Sequence, residues 1–107
     1  MLNTLEKVQR LEQYLRLDDS VNDPIVDRTV TKLLHRESSR MEALRTRLSE
    51  QIREFEQQYQ LPSAEFYARY ERGDMGDDMD FIEWASTCEM LSNVNKRLTI
   101  LESHSLS

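Results

Sequence analysis

Five acidic side chains fall within ten residues of this chain: Asp74, Asp77, Asp78, Asp80 and Glu83. Carboxylates at such density could hold a hard cation. A calcium loop, however, needs oxygen ligands at alternating positions and a glycine at the sixth. Counted from Asp74, the third residue is Gly76 and the sixth is Met79, so the pattern fails. The simpler chemistry is capping, because carboxylates at the start of a helix accept its free N–H groups and favour the positive end of its dipole. Asp78 and Asp80 are read as such caps, and Asp80 with Glu83 has the spacing of a capping box. An acidic patch for a partner is the second use of the cluster. No metal and no cofactor are expected.

The opposite charge is gathered elsewhere. Arg28, Lys32, Arg36 and Arg40 step by four, and Arg47 extends them. At about 100° per residue, a step of four drifts by about 40° per repeat. The strip therefore winds over the side of a helix away from its apolar ladder. It reads either as a solvated face paired to Glu42, Glu50 and Glu54 or as a partner-binding strip for an acidic protein surface. Nucleic acid is disfavoured, since the net charge is −6 and no reading motif is present.

The other reactive types are sparse. His35 and His104 have no ligand set at zinc spacing. Cys88, the single cysteine, lies at helical spacing among apolar residues and reads as core. There is no phosphate loop, no Ser-His-Asp order and no HExxH. These residues argue against an enzyme.

Four helices would position these groups. Residues 4–17 make the first, with Asn3 and Glu6 as a capping box and Val8, Leu11 and Leu15 as its stripe, flanked by Leu5 and Tyr14. Asp18-Asp19-Ser20 ends it. Asp23 caps the second, with Pro24 in its first turn. That helix runs from about 24 to 60 on a ladder of Val26, Val30, Leu33, Glu37, Met41, Leu44, Leu48, Ile52, Phe55 and Tyr59. The ladder repeats every eleven residues, which implies a nearly straight rod rather than a heptad coil. Glu37 interrupts it beside Ser38-Ser39, as a local polar layer, a buried device that fixes register, or a break. Leu61-Pro62 stops the rod. Ser63 is read as the cap of a short helix over 64–72, which carries Phe66, Tyr67 and Tyr70 and ends at Gly73. The last helix, 78–103, carries Phe81, Trp84 or Ala85, Cys88, Leu91, Val94, Leu98 and Leu101. Residues 103–107 are expected to fray.

Composition agrees with long helices. Charged residues make up 32% and apolar residues 38%, with two glycines and two prolines. No run approaches the ~18 apolar residues of a membrane span, and Met1-Leu2-Asn3-Thr4 does not open a signal peptide. The expectation is cytoplasmic. Charge is uneven: residues 28–53 carry +4, whereas 61–107 carry −5.

Residues 63–85 carry a resemblance. Phe66-Tyr67, Gly73-Asp74, Gly76-Asp77-Asp78, Asp80-Phe81 and Glu83-Trp84 resemble a family of small all-helical bacterial and archaeal proteins, notably cyanobacterial. The Asp23-Pro24 start before a long charged helix is similar too. Some members are regarded as antitoxin-like partners of toxins. The resemblance implies no catalytic residue.

The sequence thus predicts one all-α domain over 1–107. It is a long helical hairpin, with the central helix antiparallel to the C-terminal one, a short N-terminal helix folded back onto the rod and a short connecting helix. Because the rod outruns its partners, a homodimeric bundle is expected. Two functions follow: the antitoxin of a toxin–antitoxin pair, neutralising a toxin protein by direct contact, or a structural homo-oligomerisation module.

Overall fold

The computed structural model describes residues 1–17 and 23–103. Four helices follow in order: α1 (Thr4–Leu17), α2 (Pro24–Tyr59), α3 (Ser63–Glu71) and α4 (Met79–Leu101). No strand occurs among the described residues. The chain divides into two compact units, Met1–Thr31 and Lys32–Ser107. The expected stop at Asp18-Asp19-Ser20 and the fraying tail with His104 lie outside the described residues.

In the first unit, the capping box forms in both directions. The Glu6 N–H donates to Asn3 Oδ1 at 2.8 Å, and the Asn3 N–H reaches Glu6 Oε1 at 3.5 Å. A Glu12–Arg16 pair at 2.9 Å adds local support one turn apart. The stripe of this helix is partly exposed. No residue of α1 is buried, and Leu5, Val8, Leu11 and Leu15 are 38–63% exposed. At the start of α2, Asp23 caps as read: its Oδ1 accepts the Ile25 N–H at 2.9 Å.

In the second unit, α2 passes Glu37-Ser38-Ser39 without a break. Glu37 is partly exposed and takes Arg36 at 2.8 Å and Arg40 at 2.9 Å. It is a local polar layer, not a buried register device. The antiparallel pairing of α2 with α4 is visible in the contacts. Late residues of α4, Val94 and Leu98, meet Leu48 with Met41 and Leu44 beside them. Early residues, Phe81, Trp84 and Ala85, meet Phe55 and Tyr59 at the far end of α2, where Phe66 of α3 closes the cluster.

Trp84 and Phe66 are the fully buried centre of this aromatic cluster. Their rings stack at 3.8 Å and 1°, and Phe55 and Tyr59 stack on Trp84 at 5.6 and 5.9 Å. Each large aromatic removed from water contributes roughly 1.5–3 kcal/mol.

The turns follow from a few residues. Gln60 takes a left-handed conformation, φ 49°, where α2 stops before Leu61-Pro62. At the end of α3, the Gly73 N–H bonds Tyr70 O and the Asp74 N–H bonds Arg69 O, both at 3.0 Å. That pair is a Schellman closure, and it requires the positive φ of 79° that Gly73 supplies.

Two residues read as caps do other work. Ser63 is the first helical residue of α3, and Pro62 occupies the cap position without a side-chain bond. The Ser63 N–H is instead satisfied by Glu56 Oε2 at 2.7 Å, from the last turns of α2. The Ser63 hydroxyl accepts the Trp84 indole N–H at 2.9 Å. A buried indole needs an acceptor, and this demand places the serine inside the helix. Asp80 is not a cap either. Its carboxylate accepts the Tyr59 hydroxyl and, at 3.5 Å, Gln58 Nε2, tying α4 to α2. Asp78 caps α4 as read, accepting the Asp80 N–H at 2.9 Å.

Candidate interaction surfaces

The five basic residues of the strip are all exposed. Arg28 stands in the first unit; Lys32, Arg36, Arg40 and Arg47 stand in the second. Arg36 and Arg40 converge on Glu37. Arg28, Lys32 and Arg47 make no ion pair among the described residues. The pairing thus differs from the one read in sequence: Glu42 takes Arg45, and the ladder residue Glu37 serves the strip. At such exposure an ion pair contributes ~0–1 kcal/mol.

A second surface is apolar and belongs to α1. Its capping box orients the helix start, and Val8, Leu11 and Leu15, spaced by three and four, form one half-exposed stripe. Sequence reasoning located this stripe and expected it to be covered.

A third surface was missed. Besides the buried row that faces α2, α4 carries Met79, Ile82, Met90 and Ile100, all exposed. At about 100° per residue these four fall within an arc of about 80°. The signal was present in the spacing, but the core row through Trp84, Val94 and Leu98 accounts for the helix by itself and hides a second one.

Polar chemistry concentrates where α3 meets α4. Cys88 is half-buried beside Ser63, on an open groove of about 500 Å³ lined also by Ile52, Ser92 and Lys96. Burial pushes its thiol up from the ordinary value, while the Ser63 hydroxyl works against that shift. A thiol so placed is a poor nucleophile. Two tyrosines are shifted as well. The bond to Asp80 is the main cause raising Tyr59 to about 12, and the 2.7 Å bond to Glu89 likewise raises Tyr67 to about 12. Burial adds to both. These phenols stay protonated as donors, and each ties two helices together. Among the described residues no group of three or more His, Cys, Asp or Glu is arranged to hold a metal. None of the described helices is long and apolar enough to cross a membrane.

No family model, curated protein or solved structure matches this chain.

Proposed function

We propose that the protein is a non-catalytic, partner-binding helical protein, acting as the antitoxin of a toxin–antitoxin pair by direct contact with a toxin protein. The observation that carries this reading is the half-exposed stripe of α1, Val8, Leu11 and Leu15, on a helix capped at its start. A 14-residue helix is marginal in water by itself. An amphipathic helix that lays such a stripe into a groove of another protein gains the missing burial. Residues 63–85 resemble a family of small all-helical proteins, some of them antitoxin-like, and that resemblance suggests the class of partner.

The test is co-expression with the protein encoded beside this gene. A neighbour that arrests growth alone should become harmless and co-purify with this chain. Leu11→Glu should abolish both effects without altering the Trp84 core. A neighbour that is harmless alone, or that stays toxic and uncaptured, sinks the antitoxin reading. The second reading, a homo-oligomerisation module, is favoured by the exposed stripe of α4.

A further inference from the structure

We propose that Lys32, Arg36, Arg40 and Arg47 of α2 form the docking strip for an acidic helix of another protein, one that carries aspartate or glutamate at steps of four. The inference concerns the second unit alone and does not rest on α1 or on a toxin.

All four side chains are exposed. At about 100° and 1.5 Å per residue, they fall within an arc of about 80° over a length of about 22 Å. Between residues 32 and 47 the arc holds one further residue, Ala43, and no carboxylate. The row that meets α4, Met41, Leu44 and Leu48, lies about 110° round the helix. The charges are set against the stability of their own helix. Lys32 and Arg36 are four residues apart, as are Arg36 and Arg40, and like charges at that spacing repel. Neither Lys32 nor Arg36 has a carboxylate three or four residues away. A solvated face would draw on Glu42, Glu50 and Glu54, but Glu42 takes Arg45, and Glu50 and Glu54 make no ion pair among the described residues. Glu37 alone serves the strip among those residues, and it takes Arg36 and Arg40 together. A local arrangement that costs its own element stability, with so little compensation inside the fold, marks a functional surface.

The chemistry of the strip selects its partner. Bases stack on aromatic side chains, and no aromatic residue lies between Tyr14 and Phe55. A net charge of −6 opposes a polyphosphate chain further. A membrane surface would need the apolar face beside the strip to enter the lipid, and from Met41 onward α4 packs on that face. Carboxylates four residues apart on a helix stand about 6 Å apart along its axis, the same step as the strip. Ridges of that step pack against one another, and the guanidinium fork takes a carboxylate through two parallel hydrogen bonds.

The test uses the full chain and a fluorescent alanine-based peptide with glutamate at every fourth position. Anisotropy should report binding at low salt that weakens as salt is added. Arg36→Gln/Arg40→Gln should weaken it at least tenfold. Arg45→Gln/Arg53→Gln removes the same charge from outside the strip and should leave binding unchanged. A peptide of the same composition with its glutamates grouped at one end should bind at least tenfold more weakly. Lys32→Gln should raise the urea midpoint, since it relieves repulsion along the strip. These exposed positions leave the core untouched; Trp84 fluorescence checks this. No binding of the spaced peptide, equal losses from the two double variants, or a urea midpoint lowered by Lys32→Gln would overturn the proposal. Tighter binding of oligothymidylate or of phosphatidylserine vesicles would assign the strip to nucleic acid or to membrane and also overturn it. A dimer of twice 12.7 kDa that Arg36→Gln/Arg40→Gln dissolves would make a second copy the occupant, with the same result. Failure to capture a toxin would leave this proposal standing.

Discussion

Ser63 shows how one side chain can satisfy two elements in an unforeseen way. A serine after Leu61-Pro62 looks like a helix cap, because local sequence contains the start signal and nothing about Trp84, twenty-one residues away. The indole N–H at 2.9 Å decides its role. Ser63→Ala leaves that buried donor unpaired, so urea titration should show a loss of about 1–3 kcal/mol. The Trp84 emission should shift in the folded state, which loss of an ordinary cap would not cause. Asp80 was misread for the same reason, since its partner Tyr59 lies on another helix. The tyrosines make a prediction about pH. Their folded values near 12 stand above the ordinary 10. Their contribution is therefore complete below about pH 10 and is lost as pH rises through about 12. Stability measured across that window should fall for the wild type and fall less steeply for Tyr59→Phe. A parallel decline in both proteins would refute the assignment of Tyr59.

The helices were legible at their ends because the chain marks them with unambiguous residues. Asp23-Pro24, Pro62 and Gly73 can serve few other purposes, and each stands within two residues of a helix boundary in the structure. Burial was less legible. The ladder of α2 predicted one apolar face, but only the part from Met41 onward meets the cores of the second unit. Periodicity reports that a face is apolar; it does not report whether another element is long enough to reach it. The end of α2 also contains a conformation that its residue type disfavours. Gln60 holds φ 49°, a region that costs a non-glycine residue about 1–2 kcal/mol. Gln60→Gly should therefore raise stability by roughly 0.5–1 kcal/mol, the 2.7 Å bond from its side chain to Gln57 O being the loss that offsets part of the gain. A decrease in the urea midpoint would show that this bond outweighs the strain.

Among the described residues, burial is confined to the second unit. Every buried residue among them, from Leu48 to Leu98, belongs to it. Deletion of residues 1–17 should leave the unfolding transition reported by Trp84 within about 1 kcal/mol of wild type, because no residue of α1 is buried. Amide exchange should separate the units further, with α1 exchanging near the rate of local opening and the middle of α4 only on global unfolding. A large drop in stability on deletion, or slow exchange throughout α1, would show that the first unit is held by contacts beyond its own caps.

The stack around Trp84 has an optical consequence. The chain has one tryptophan, and Tyr59 stacks on it with ring centres 5.9 Å apart. At such separations an excited phenol passes its energy to the indole before it can radiate. Light absorbed by Tyr59 should therefore leave the molecule at the tryptophan wavelength. Direct tyrosine emission should brighten only when the aromatic cluster opens. An unlabelled sample thus carries its own donor and acceptor, and the ratio of the two colours is a gauge of whether α2, α3 and α4 still meet.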